Sequence, residues 1–211
     1  MEAAGIRVDE AYLKQAITDT EAKTALAQKN LMKGEVWRAW QKEYGAKANL
    51  TSRTQLGDVL FRLLKLPYPY GRTRTGRYGT GEKLLVELEH PWVEQYLQMS
   101  KLQKLRSVFL GGLQREMVDG FFHPSFNLHT ASTYRSSSGS GKTEERISRD
   151  LNFQNLPIRD PLYAEVIRRC FIPRKPGWHL VEIDFVGIEV RVGCAYHKDP
   201  ALIDYVKDPT K

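Results

Sequence analysis

The sequence predicts an α+β fold in which a helical half precedes a half that mixes strands and helices. Residues 8–44 contain no proline, and apolar side chains recur there at helical spacing. This period is lost over residues 118–138, and residues 179–185 instead alternate in the way that is typical of a β-strand. We therefore expect a helical domain over residues 1–117 and a second domain with a small sheet over residues 118–211.

The first helical stretch is either one very long helix or two helices that break near Gly34. Asp9 can cap its start, and Gly45 suits its end. Ser52 and Gln55 have the spacing of a capping box, which opens a short helix that ends before Pro67. One face of this short helix is apolar and consists of Leu56, Val59, Leu60, Leu63 and Leu64.

A glycine-rich loop over residues 71–81 follows, and it carries three arginines, Arg72, Arg74 and Arg77, beside a single large apolar residue, Tyr78. This composition predicts an exposed tip with a basic rim. A short helix is expected over residues 82–89. Pro91 can occupy the first turn of the next helix, which is predicted to run to about Met117. Residues 188–196 and 200–206 have the pattern of two later helices.

Composition excludes several classes of protein. Two cysteines are too few for a disulfide framework, and the five histidines lack metal-ligand spacing. No apolar run approaches the roughly 18 residues of a membrane span, and the N-terminus lacks the features of a signal peptide, so we expect a cytoplasmic protein. The net charge of +7 is compatible with an acidic partner such as nucleic acid, but charge alone does not establish one.

Two polar segments have an ordinary alternative to a functional role. Residues 139–143, GSGKT, imitate the end of a P-loop, but Ser136 occupies the position that requires glycine, so we do not expect a phosphate site. The surrounding residues, about 139–148, are predicted to be an exposed insertion. The basic tip loop, and the helix face that carries Lys101 and Lys104, could contact a nucleic-acid backbone or could simply be solvated.

One acidic position could bind a hard cation. Asp184 ends the predicted strand, and Glu189 follows at the start of a helix. Carboxylates are the ligands that Mg²⁺ prefers, but a single carboxylate does not hold this ion strongly. Spacing alone therefore leaves the metal site open.

Several motifs resemble segments of the family A DNA polymerases. Residues 183–191, IDFVGIEVR, resemble motif A of that family, and residues 150–159, DLNFQNLPIR, resemble a segment that precedes it. Further similar segments occur in the family's order and consist of residues 4–9, 49–56, 101–107, 123–137, 167–173 and 177–184. Any one motif could arise by chance, but their shared order identifies the chain as a member of the family. The resemblance implies a long-helix thumb over residues 1–117 and a partial antiparallel-sheet palm over residues 118–211.

The resemblance implies a catalytic role for motif A. Asp184 matches the aspartate that binds both catalytic Mg²⁺ ions, and the carbonyl of Phe185 matches a further metal ligand. Glu189 matches the glutamate that screens the 2′ position of the sugar and so favours deoxyribonucleotides. The implied activity is DNA-templated DNA polymerisation, with primer–template DNA and deoxynucleoside triphosphates as partners.

The resemblance also implies DNA contacts. Arg135 matches an arginine that touches the minor groove at the primer end, where acceptors are similar among base pairs. The residues that match polar side chains along the duplex are Asn152, Gln154 and Asn155. Lys104 matches a thumb lysine on the DNA backbone, and the arginines of the tip loop match the thumb tip. Asn49, Ser52 and Lys101 lie in matching thumb segments. Because Ser100 stands where an arginine is common, thumb contacts are expected to be either weaker or shifted to Lys101.

Departures from the family set further expectations. The commoner Ser and Gln of motif A are replaced by Val186 and Gly187, Tyr134 replaces a glycine, and Leu151 replaces a proline. The motif A variant and the insertion favour a phage origin. The sequence contains no match to the fingers or to the second metal-binding aspartate, so we expect the chain by itself not to polymerise DNA. It would act with a complementary chain that carries those parts, or as a non-catalytic duplex-binding fragment, and its incomplete palm sheet would expose an apolar edge.

Overall fold

The computed structural model describes residues 3–128, 132, 135–139, 151–157 and 160–208. The chain forms two compact units, Met1–Arg174 and Lys175–Lys211. Apart from Gly139, the predicted insertion at about 139–148 lies outside the described residues, as does Tyr134. Within the described ranges, no helix is both long enough and apolar enough to cross a membrane.

The first helical stretch forms two helices, α1 (Glu10–Leu31) and α2 (Glu35–Tyr44). Asp9 caps α1, since its carboxylate accepts a 2.9 Å hydrogen bond from the backbone N–H of Tyr12. The break at Gly34 has a tertiary cause. A Cβ atom at Gly34 would lie 2.9 Å from the ring of Trp92, whose indole N–H donates to the carbonyl of Leu31. The two-helix alternative is therefore confirmed.

The next helix, α3 (Arg53–Gly57), continues as a π-helix over Asp58–Leu63. The hydroxyl of Ser52 caps α3 by accepting from the N–H of Gln55 at 3.3 Å. In a capping box, the side chain of Gln55 would also accept from the backbone N–H of Ser52, and this part of the prediction is wrong. The side chain of Gln55 accepts from the indole N–H of Trp40 at 2.8 Å and from the N–H of Asn49 at 2.9 Å. The side-chain oxygen of Gln55 therefore bonds to the buried indole of Trp40 and not, as the local pattern predicted, to the start of α3.

Helices α4 (Glu82–Glu87) and α5 (Pro91–Lys104) follow the tip loop. The long helix predicted from Pro91 is interrupted by a π-helix over Leu105–Leu110 and then ends with α6 (Gly111–Glu116). Helix α5 packs along α1, and these two helices form the body of the helical part.

Two apolar cores stabilise the first unit. One core lies around α2, α3 and α5 and includes the fully buried side chains of Trp40 and Leu56. The other lies between the N-terminal part of α1 and the π-helix that follows α5, and there Leu110, Phe122 and Ile167 are fully buried. Residues before and after Met117 share this second core. The predicted domain boundary near residue 117 stays a prediction.

The strands of the first unit are short and antiparallel. Strands β1 (Ile6–Arg7), β2 (Met117–Val118) and β3 (Phe121–Phe122) form a sheet in the order β1-β3-β2. Strand β4 (Phe126–Asn127) pairs with β5 (Ser137–Ser138).

A short 3₁₀ turn, Phe153–Asn155, precedes helix α7 (Pro161–Arg168), which Asp160 caps. Phe171, which comes shortly after α7 in the chain, forms an isolated antiparallel bridge with Val8 beside the first sheet.

The second unit contains α8 (Ile188–His197) and α9 (Pro200–Lys207), as predicted. The strand predicted over residues 179–185 is wrong as a paired strand, because this segment joins no ladder. Its apolar side chains are solvent-exposed, with Val181 78% and Ile183 87% exposed. A strand needs a neighbour to satisfy its backbone groups, and the described part of this unit supplies none. These exposed side chains belong to no sheet, so the expected edge of an incomplete palm sheet stays a prediction.

Candidate nucleic-acid interface

A polar groove of about 450 Å³ lies in the first unit. Its lining consists of Arg135, Ser136, Ser137, Asn152, Gln154 and Asn155. The structure therefore brings together Arg135, which the resemblance assigns to the primer end, and the three residues that it assigns to the duplex, Asn152, Gln154 and Asn155. Two chain segments build the groove, residues 135–137 and residues 152–155, although they are separated in sequence.

Local hydrogen bonds hold the two segments together. The side chain of Asn152 caps the 3₁₀ turn by accepting from the N–H of Asn155 at 3.1 Å. The amide of Gln154 donates to the hydroxyl of Ser136 at 2.7 Å, across the groove. The backbone N–H of Phe153 donates to the hydroxyl of Ser138 at 3.2 Å. The groove is thus a pre-formed surface and not a loose loop.

The second segment is anchored to the helical part of the same unit. The N–H of Leu151 donates to the carboxylate of Glu116 at 2.6 Å, and its side chain is buried. A Cβ atom at Gly112 would lie 3.2 Å from Leu151, so glycine permits this close packing. The leucine that replaces the usual proline therefore contributes both an N–H donor and core packing.

The chemistry of the groove suits the acceptors of a duplex. Its lining carries a guanidinium, two serine hydroxyls and three carboxamides, and none of the lining residues is acidic. Guanidinium and amide N–H groups can donate to base N3 and O2 acceptors or to sugar and phosphate oxygens. Ser136 and Ser137 were missed as site residues, although the similar segment over residues 123–137 includes both of them.

The tip loop is exposed, as predicted. Arg72, Arg74 and Arg77 are all solvent-exposed. A tight turn closes the loop, since the N–H of Thr73 donates to the carbonyl of Arg77 at 2.9 Å, and the N–H of Gly76 donates to the carbonyl of Thr73 at 2.8 Å. Gly76 has a φ of +73°, which glycine adopts without strain.

The three arginines of the tip differ in their surroundings. The guanidinium of Arg72 lies 4.6 Å from the ring centroid of Tyr78 and donates to its hydroxyl at 3.0 Å. Tyr78 in turn packs against the core around α2, α3 and α5. Within the part of the chain that the structure describes, the guanidinium groups of Arg74 and Arg77 have no hydrogen-bond, ion-pair or ring partner. Two cations therefore face solvent, and the third organises the loop.

The remaining predicted thumb residues have mixed surroundings. Lys104 is exposed, with its ammonium 5.8 Å from the ring centroid of Phe109. Lys101 forms an ion pair with Asp160 at 2.9 Å. The side-chain oxygen of Asn49 accepts from Thr51, and Ser52 caps α3. Of the two lysines, Lys101 is held by an acidic partner. The ammonium of Lys104 has no hydrogen-bond or ion-pair partner among the described residues.

Motif A lies in the second unit. The carboxylate of Asp184 is exposed and accepts a 2.9 Å hydrogen bond from the N–H of Phe185. Gly187 has a φ of +56° and is the N-cap of α8, whose first turn carries Glu189. The guanidinium of Arg191 reaches back and donates to the carbonyl of Val186 at 2.8 Å. The turn between Asp184 and α8 is therefore fixed by a residue of the motif itself.

Glu189 lines a shallow groove of about 570 Å³ along one face of α8. The other lining residues are Ile188, Val192, Gly193, Tyr196 and His197. The groove is mostly apolar, and Glu189 is the acidic residue in its lining.

The fit of these residues to Mg²⁺ is partial. A carboxylate and a backbone carbonyl are oxygen ligands of the right type. Among the described residues, however, no group of three or more His, Cys, Asp or Glu side chains could hold a metal ion. Asp184 and Phe185 therefore offer part of a coordination shell and not a whole one.

Comparisons with known proteins bear on the family of the chain. The family model described as DNA polymerase family A matches residues 18–210. The thermostable DNA polymerase I of Thermus aquaticus is 36% identical over 96% of this chain and 22% of its own length. DNA polymerase I of Synechocystis is 34% identical over 99% of this chain and 19% of its own length. The chain therefore spans about a fifth of these curated relatives.

A solved structure is similar as well. It is the POL domain of Pol1 from M. smegmatis, in complex with DNA primer-template and dNTP. The TM-score is 0.72 at 30% sequence identity, and the similarity covers 95% of this chain and 32% of that chain. The predicted fold class and family are thereby confirmed, and the chain belongs to DNA polymerase family A.

Proposed function

We propose that this chain forms the primer–template-binding part of a DNA-templated DNA polymerase and contributes the motif A aspartate to it. The observation that carries the proposal is the groove that gathers Arg135, Asn152, Gln154 and Asn155. The polymerase structure in complex with DNA primer-template and dNTP supports the same partners.

Duplex binding would use two kinds of contact. Arg74, Arg77 and Lys104 offer exposed cations to phosphate oxygens, which supplies affinity that falls with salt. The groove offers hydrogen-bond donors to the minor-groove edge, where acceptors are nearly the same for all base pairs. This combination holds a duplex without selecting a sequence, as templated synthesis requires.

The chemical contribution of this chain would come from motif A. Asp184 and the carbonyl of Phe185 would hold metal together with ligands from elsewhere, and Glu189 would lie near the sugar of the incoming nucleotide. Two bound Mg²⁺ ions supply activation of the 3′-hydroxyl and charge stabilisation at the α-phosphate. Asp184 is exposed and already oriented by the Phe185 N–H, so a metal can reach its carboxylate.

The chain by itself is expected to bind duplex without extending a primer. Two-metal transfer needs more carboxylates than the described residues place together. The exposed apolar segment over residues 179–186 supports association with polypeptide that carries the rest of the polymerase domain. The described residues place no such group of carboxylates together, and this also favours the second candidate function, a non-catalytic duplex-binding protein.

A chimera tests the proposal. The segment of the Thermus aquaticus relative that matches this chain is replaced by this chain, and primer extension and duplex binding are measured. We expect extension by the chimera. Asp184→Ala should abolish extension and leave duplex binding nearly unchanged, and Asp204→Ala, a carboxylate change in α9, should affect neither. Extension by the Asp184→Ala chimera at the unaltered rate would overturn the metal assignment.

A chimera that binds duplex but never extends would favour the second candidate. A chimera that does not bind duplex would contradict both functions.

A further inference from the structure

Lys101 has a different environment from the other basic residues on α5. Its ammonium lies 2.9 Å from the carboxylate of Asp160 and 3.8 Å from that of Glu82. The side chains of Lys101 and Asp160 are 36% and 27% exposed. A lysine that is free to bind phosphate would instead extend into solvent without an acidic partner, as Lys104 does.

The partner of Lys101 occupies a special position in the chain. Asp160 is the N-cap of α7 and accepts from the N–H of Leu162 at 3.1 Å. Asn155 of the groove lies only five residues before it. Helix α7 itself packs into the second core, where the ring of Tyr163 lies 5.5 Å from that of Phe109. The carboxylate of Asp160 is therefore held at the start of α7 by its cap hydrogen bond and by the packing of that helix.

The ion pair connects two surfaces that the proposed function assigns to DNA. Lys101 precedes Lys104 by three residues on α5, so both lie on nearly the same face. Asp160 follows the segment that forms one wall of the groove. The ion pair therefore joins α5 to the start of α7, the helix that follows the groove segment in the chain.

We propose that Lys101 is a positioning residue, whose ion pair with Asp160 holds α5 at a fixed orientation to the groove so that one duplex meets both surfaces. The inference rests on the proposed function, and it replaces the expectation that Lys101 contacts DNA. Neither Lys101 nor Asp160 touches the duplex.

The charges of the pair support this role. The hydrogen bond from Lys101 holds the pKa of Asp160 below its usual value, and the hydrogen bond to Asp160 raises the pKa of Lys101. Both groups therefore stay charged at neutral pH. Asp160 would also repel a phosphate that approached Lys101 closely, which disfavours direct contact with the DNA backbone.

The test is duplex binding by the full chain, measured over a range of salt concentrations and well below the unfolding temperature. The variants are Lys101→Gln, Asp160→Asn and the double variant, and Asn keeps the oxygen that caps α7. For a positioning role, each single variant should weaken binding roughly two- to fivefold, as expected for an exposed ion pair. The double variant should be no weaker than either single variant, and the salt slope should stay unchanged.

Two further variants serve as controls. Glu82→Gln removes a more distant and more exposed carboxylate near the same lysine, and it should leave binding unchanged. Lys101→Arg retains the positive charge and can re-form the pair, so it should bind as the unaltered chain does.

If Lys101 contacts a phosphate directly, the variants should change duplex binding in the opposite direction. Asp160→Asn and Glu82→Gln would then strengthen binding by freeing the lysine, and Lys101→Gln would lower the salt slope by about 0.9. Variants that lower only thermal stability and bind unchanged would also overturn the positioning role. If the unaltered chain binds no duplex, the proposed function fails together with this inference. If it binds while Asp160→Asn binds equally or more tightly, only this inference fails.

Discussion

The exposed arginines of the tip loop allow a quantitative prediction. If Arg74 and Arg77 each contact a phosphate, the Arg74→Gln, Arg77→Gln double variant loses two contacts. Each phosphate contact contributes about 0.9 to the slope of log affinity against log salt, so the slope should fall by about 1.8. Raising the salt from about 50 to about 200 mM lowers the affinity of both proteins. The fold-decrease for the variant should be roughly 12 times smaller than that for the unaltered chain.

Arg72 is the matched comparison within the same loop. Its guanidinium is held against Tyr78 and donates to the carbonyl of Gly76 at 3.4 Å. Arg72→Gln should therefore change the salt slope by much less than either of the other single variants. Its expected effect is a less ordered loop, which should appear as faster proteolysis near residues 71–77.

The assay is the fluorescence anisotropy of a labelled primer–template, titrated with the full chain at several salt concentrations. Circular dichroism checks that each variant is folded. An unchanged salt slope for the double variant would show that the tip does not meet the duplex. A fall of equal size for Arg72→Gln would refute the distinction between the solvent-facing arginines and the stacked one.

Two predictions concern the first unit by itself. Leu56 is fully buried, so Leu56→Ala should lower the free energy of unfolding by roughly 2–5 kcal/mol. Leu26→Ala, at a site 61% exposed, should change it by less than about 0.5 kcal/mol. Urea titration measures both changes, and equal effects would contradict the assigned core. Burial raises the pKa of Cys170 to about 12, so its thiol should resist iodoacetamide at neutral pH until urea unfolds the chain. The unfolded thiol ionises near pH 9.0, so its contribution to stability should be complete below that pH and lost as the pH rises toward about 12. Cys170→Ala should remove this part of the pH dependence, and labelling of the native chain at the unfolded rate would contradict the burial.

The local features of the helices could be predicted from the sequence. Asp9 caps α1, Gly45 ends α2, and the tip loop is exposed, because each depends on residues within a few positions. The partner of Gln55 could not be predicted, since it is Trp40, fifteen residues away, and burial decides that contact.

The candidate interface could be predicted only in part. The residues of the groove were found through their similar segments, but the serines beside Arg135 were missed because the sequence does not show which side chains face one another. Lys101 was assigned to DNA because its position on the helix matches a thumb segment. Its acidic partner lies 59 residues further along the chain.

The sequence by itself determined the family, the order of the helices and the identity of most candidate residues, because these depend on motifs and on short-range periodicity. The tertiary structure decided which residues lie together. It assembled the groove from two separated segments, paired Lys101 with Asp160, and left residues 179–185 without a neighbouring strand. The physical reason is the same in each case: hydrogen bonds, ion pairs and strand ladders need a partner in space, and the chain order does not specify where that partner lies.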